Sequence, residues 1–111
     1  MRRTLVAAVS AAILLTAVPA LAATTPTFKG TVGPGFTITL AKKPTKAGKT
    51  RVTVSDRSEF HNFHLSGPGV NVKTSVGAVG TKTFTVTLKK GTYRFVCDPH
   101  ASQMKGSFRI R

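Results

Sequence analysis

The chain has 111 residues, with seventeen lysines and arginines against three acidic residues, one cysteine and no tryptophan. That length accommodates one small domain and excludes a second of ordinary size. One cysteine excludes an internal disulfide, the device on which many small exported domains rely.

The first segment reads as a secretory leader. Arg2 and Arg3 precede an apolar run from Leu5 to Val18, and Ala20-Leu21-Ala22 supplies the small-x-small pattern of a cleavage site. The run is shorter than the roughly 20 residues a spanning helix requires. Residues 1–22 are therefore expected to be removed on export to a periplasmic or extracellular location. The Arg2-Arg3 pair permits a twin-arginine route, but its flanking residues match that signal poorly and favour the general secretory route. Cleavage leaves 89 residues and a formal charge of +12, against +14 for the whole chain, so the basicity belongs to the mature domain.

Residues 23–30 are polar and expected to form a loosely held, flexible lead-in, with the folded domain spanning 31–111. Beyond the leader the chain has fifteen Thr and nine Val but only three Leu, five Ala, one Glu and one Gln, a balance that favours strands over helices. Phe36, Ile38 and Leu40 alternate with Thr37 and Thr39 as one strand; Val52 and Val54 face inward on a second. Phe60 to Leu65 is a third run, with His61, Phe63 and Leu65 on one face and Asn62 and His64 on the other. The glycine-rich stretch from Ser66 to Gly80 predicts a long loop with at most a short strand. Phe84, Val86 and Leu88, then Tyr93, Phe95 and Cys97, then Phe108 and Ile110 mark three further inward faces. The expected fold is all-β: a small antiparallel Greek-key sandwich or barrel of six to eight strands.

Chemistry concentrates after the Tyr93-Phe95-Cys97 strand. Cys97, His100 and Met104 place a thiolate, an imidazole and a thioether within eight residues, and His61 or His64 offers a second imidazole from another strand. Two His and one Cys around an ion, with a weak axial Met, is a ligand set suited to copper in both oxidation states. His61 is preferred as the first ligand because it is in phase with Phe63 and Leu65; His64, out of phase, is the alternative. Pro99 stiffens the bend between Cys97 and His100. Four protein ligands leave no open position for a substrate, which argues against a metalloenzyme.

The motif Cys97-x2-His100-x3-Met104-Lys105-Gly106, together with His61-Asn62, resembles the small blue (type 1) copper proteins, the cupredoxins of the plastocyanin, pseudoazurin and amicyanin type. The resemblance runs from about Phe28 to Arg111. It implies one copper ion held by His61, Cys97, His100 and Met104, with Asn62 outside the ligand set, tying the two ligand loops together through hydrogen bonds. The three residues between His100 and Met104 lie between the four of plastocyanin-like loops and the two of amicyanin-like loops. Asp98, directly after the cysteine, brings a charge that would favour Cu(II) if it lay near the metal.

These features imply a soluble, monomeric one-electron carrier cycling between Cu(I) and Cu(II). A copper chaperone, store or sensor without a redox circuit is the alternative. Pro68, Val70 and Ala101 are candidate docking residues, with lysines steering redox protein partners that have acidic docking surfaces. The basic charge also suits contact with anionic lipid or cell-wall polymer. No recognition helix or base-stacking aromatic pattern is present, which excludes nucleic acid as a partner class.

Overall fold

A computed structural model describes residues 4, 6–16 and 24–111. The expected cleavage site at Ala20-Leu21-Ala22 lies outside the described residues. Among the described residues eight strands form in chain order: β1 (Thr27–Val32), β2 (Ile38–Leu40), β3 (Gly48–Asp56), β4 (His64–Gly67), β5 (Val70–Lys73), β6 (Gly80–Leu88), β7 (Gly91–Val96) and β8 (Lys105–Ile110). One 3-10 turn, Asp98–His100, separates β7 from β8. Among the described residues no helix is long and apolar enough to cross a membrane.

Two four-stranded sheets, ordered β2-β1-β3-β6 and β5-β4-β7-β8, make the sandwich expected of the sequence. Alternation along the strands drives their association. Val52 and Val54 of β3, Val86 and Leu88 of β6, Leu65 of β4, Tyr93 and Phe95 of β7, and Phe108 and Ile110 of β8 are all buried between the sheets. Phe63 stacks on Phe95 and Tyr93 on Phe108, with ring centroids 5.6 and 5.2 Å apart. Offset aromatic stacking of this kind adds modestly to the free energy of burying the rings.

Three details depart from the sequence reading. Residues 27–30, expected to be a flexible lead-in, are the first part of β1 and pair with both β2 and β3. The β1–β3 pair is parallel, from Thr27 opposite Arg51 to Val32 opposite Asp56, because β2 turns back along the outer edge of β1. Phe36 is not an inward strand residue: β2 begins only at Ile38, and Phe36 is 63% exposed. The Gly-Pro-Gly run before it bends the chain out of the sheet.

The register defines two poles. β1, β3 and β7 end, and β4 and β8 begin, at one pole, where Val96 lies opposite both His64 and Lys105. At the other, Gly48 lies opposite Leu88, Gly91 opposite Ile110 and Gly67 opposite Val70.

Candidate metal centre

At the first pole, two loops enter the gap between the sheets. The loop before β4 is secured on both sides of His61. Asp56 Oδ1 accepts from the Ser58 amide at 3.0 Å, and Ser58 Oγ accepts from the Phe60 amide at 3.1 Å. On the other side the Phe63 amide donates to Thr74 Oγ1 at 2.8 Å, and the Thr74 amide donates to the Phe63 carbonyl at 2.9 Å. His61, Asn62 and Phe63 are all buried. They form an irregular plug rather than a strand, so the expected in-out alternation does not hold there and Asn62 faces inward as well.

The second loop is closed at its base. The Cys97 amide donates to the Met104 carbonyl at 3.0 Å, the His100 amide to the Cys97 carbonyl at 3.0 Å, and the Met104 amide to the His100 carbonyl at 2.8 Å. These bonds bring Cys97 and Met104, both buried, to the end of the core, while His100 is half-buried. Gly33 shows how tightly the site is packed. It has φ near 70°, and a Cβ there would sit 2.9 Å from Ser58 Cβ and 3.2 Å from the His61 ring, so a side chain would press on the imidazole.

His61 Nδ1 and His100 Nδ1 approach to 3.1 Å, and each lies 3.6 Å from Cys97 Sγ. A point in the plane of these three atoms is about 2.0 Å from each of them, close to the roughly 2.0–2.3 Å bonds that nitrogen and sulfur make to a first-row ion such as zinc. Two imidazoles, a thiolate and a nearby buried thioether form a borderline-to-soft donor set, which suits copper. The residues therefore fit a copper ion.

His64 lies outside this triangle. Its Nδ1 is 2.7 Å from Asp98 Oδ1 and its Nε2 is 2.6 Å from Asn71 Oδ1. Asp98 in turn faces the first loop: its amide donates to Asn62 Oδ1 at 2.7 Å, and its Oδ2 accepts from Asn62 Nδ2 at 2.8 Å. Asn62 Nδ2 also donates to the Thr74 carbonyl at 3.2 Å. Asn62 and Asp98 thus join the two loops by a reciprocal pair of bonds. Burial alone would lower the His64 pKa, but the hydrogen bonds to Asp98 and Asn71 outweigh it and raise the value. Burial would raise the Asp98 carboxyl, but the Asn62 amide and His64 hold it below its ordinary value. Burial pushes the Asp56 carboxyl up, and its Oδ2 has no partner among the described residues.

Above the triangle is a shallow, mainly apolar recess of about 600 Å³ lined by Pro34, Phe36, Glu59, Phe60, Val76 and Pro99, with His61 and His100 at its floor. The Phe36 ring meets both imidazoles edge-on, its centroid 5.4 Å from that of His61 and 5.0 Å from that of His100. Phe60 is 73% exposed. Two of the three docking candidates expected from the sequence lie away from this rim. Pro68 lies at the opposite pole, where its carbonyl accepts from the Tyr93 hydroxyl, and Val70 is buried. From the sequence, Phe60 has no assigned face and Phe36 points inward, so neither ring is expected at this rim.

A model of the copper-binding proteins of the plastocyanin/azurin family matches residues 17–111. Among solved structures, the chain is similar to reduced rusticyanin, with 24% identity over 81% of this chain and 82% of that one and a TM-score of 0.60. A solution structure of reduced rusticyanin gives 26% identity over 77% and 76% with a TM-score of 0.57. Rusticyanin from Thiobacillus ferrooxidans gives 23% identity over 80% and 79% with a TM-score of 0.58. These likenesses extend the two-sheet fold across the domain. A search of curated protein sequences returns no significant match. With the family model spanning both loops and the His61, Cys97 and His100 donors converging at one point, the chain belongs to the plastocyanin/azurin family of copper-binding proteins, with one copper ion as its cofactor.

Proposed function

We propose that the protein is an exported one-electron carrier whose copper would be held by His61, Cys97 and His100, with the buried Met104 thioether as a weaker fourth donor. The observation that carries this reading is the compact Nδ1-Nδ1-Sγ triangle, fixed from both loops and floored by a closed core. Bound copper supplies a centre that gains and loses one electron. The surrounding residues keep the donors nearly still as it does so. The Asn62–Asp98 pair ties one loop to the other, and the Cys97–Met104 closure ties the second loop to β7 and β8. A ligand set that does not rearrange keeps the barrier to electron transfer low, because little reorganisation accompanies the change of charge.

The half-buried His100 under the apolar rim of Phe36, Phe60 and Pro99 provides the exit path for the electron and the contact surface for a redox partner. Export is supported by the leader pattern of residues 1–22.

Loading with Cu(II) is expected to give an intense blue thiolate-to-copper absorption with one copper per chain. Cys97→Ser removes the band. His61→Ala removes it and His64→Ala does not; the reverse would transfer the ligand role to His64. Rapid, reversible electron self-exchange is expected of the blue form. A blue protein that is inert to exchange and hands its copper to an acceptor would overturn the carrier reading.

A further inference from the structure

The fold sorts the charge of this chain by pole. All three carboxylate residues, Asp56, Glu59 and Asp98, lie at the copper pole: at the end of β3, in the loop before His61, and in the turn after Cys97. There they are offset by Arg57, Lys73 and Lys105. The opposite pole has no acidic side chain. It gathers Lys46 from the β2–β3 connection, Lys49 from the start of β3, Lys89 and Lys90 from the β6–β7 turn, and Arg109 and Arg111 from the end of β8 and just beyond it, all exposed. These residues are far apart in sequence and meet because Gly48 lies opposite Leu88 and Gly91 opposite Ile110.

We propose that this basic pole is a docking surface for an anionic lipid membrane, which holds the domain upright with its copper pole turned toward the water. Two observations favour a lipid surface over other polyanions. The cations sit on separate turns, four of them as flexible lysines, with no paired arginine fork and no acidic residue to set a register; such an array suits a diffuse, planar charge better than a discrete ligand. Further, β1 begins at this same pole, with the Pro26 carbonyl accepting from the Arg51 amide, so the apolar segment of residues 5–18 joins the domain where the lysines are. The arrangement also removes the lysines from the role of steering a partner toward copper. The electron-transfer face is charge-balanced and apolar, and a membrane-bound carrier searches for partners in two dimensions with that face exposed.

The test is binding of the full chain to vesicles of phosphatidylcholine with phosphatidylglycerol, compared with phosphatidylcholine alone. The expected result is cosedimentation with the anionic vesicles, released by raised salt as screening shortens the reach of the lysines. The variant K46Q/K49Q/K89Q/K90Q should weaken this binding about a hundredfold or more. The matched variant R57Q/K73Q/K82Q/K105Q, with the same change in net charge, should bind nearly as well as the parent. Equal losses in the two variants would reduce the effect to net charge and overturn the proposal. Binding that is insensitive to salt and equal on neutral vesicles would assign it to the apolar segment and overturn it as well. Binding to soluble polyphosphate but not to the vesicles would move the partner class from lipid to polymer. The blue absorption of each variant reports that the domain is folded, and vesicle binding does not depend on the copper assignment.

Discussion

At the copper pole the strands stop short, and two loops fill the gap between the sheets with polar donors, each held by hydrogen bonds to the other. At the opposite pole the gap is closed by rings. Tyr93 lies over Gly67, where a Cβ would come within 2.3 Å of it, stacks on Phe108, and uses its hydroxyl to accept from the Lys89 amide and donate to the Pro68 carbonyl, both at 2.9 Å. The first arrangement leaves donors facing one another and gains from a metal; the second is complete without one. One small core therefore supports a reactive end by having its other end sealed independently.

Removing copper should have the largest effect and should act on the first pole. An ion bound only by the folded chain stabilises it by about 4 kcal/mol when free copper is a thousandfold above its dissociation constant. For a domain of this size that corresponds to a rise in Tm on the order of 15 °C or more. Thermal melts of apo and loaded protein check this, and coincident melts would mean that the loops are as secure without the metal as with it.

Tyr93→Phe should weaken only the sealed pole. It removes the group that satisfies the Lys89 amide and the Pro68 carbonyl, at a cost of about 1–2 kcal/mol, and leaves the blue band unchanged. A shifted band would show that the two poles are coupled through the aromatic stack.

The smallest effect belongs to His64. Its folded pKa is raised from 6.5, so its contribution is fully present below that value and lost as pH rises through the folded pKa. Asp98 is lowered from 3.8, so its contribution is present above that value and lost as pH falls through the folded pKa. The pair thus acts most strongly between about pH 4 and 6.5. Both side chains are partly exposed, at 22% and 41%, which limits its worth to less than about 1 kcal/mol. Denaturant melts of His64→Gln and the parent across that range should diverge inside the window and converge above it.

How much of this was legible in the sequence depended on distance along the chain. Cys97, His100 and Met104 lie within eight residues, so the donor cluster could be read directly. The inward faces of β3, β7 and β8 followed from alternation, which strands between two sheets enforce. Alternation fails at residues 61–63, where packing of an irregular plug buries three successive side chains, and at Phe36, where a Gly-Pro-Gly bend frees the ring to cap the imidazoles. The parallel β1–β3 pair and the lysine pole were not legible at all. Each is produced by partners nineteen or more residues apart that carry no local mark of their meeting.

The base of the second ligand loop, where the Cys97 amide meets the Met104 carbonyl, has a consequence for how such proteins diversify. Because β7 and β8 are clasped there and pair from Val96 opposite Lys105 onward, the length of the loop between Cys97 and Met104 is uncoupled from the register of the two strands. Loop length is then an inheritable dial that descendants of one scaffold can turn without re-pairing the sheet.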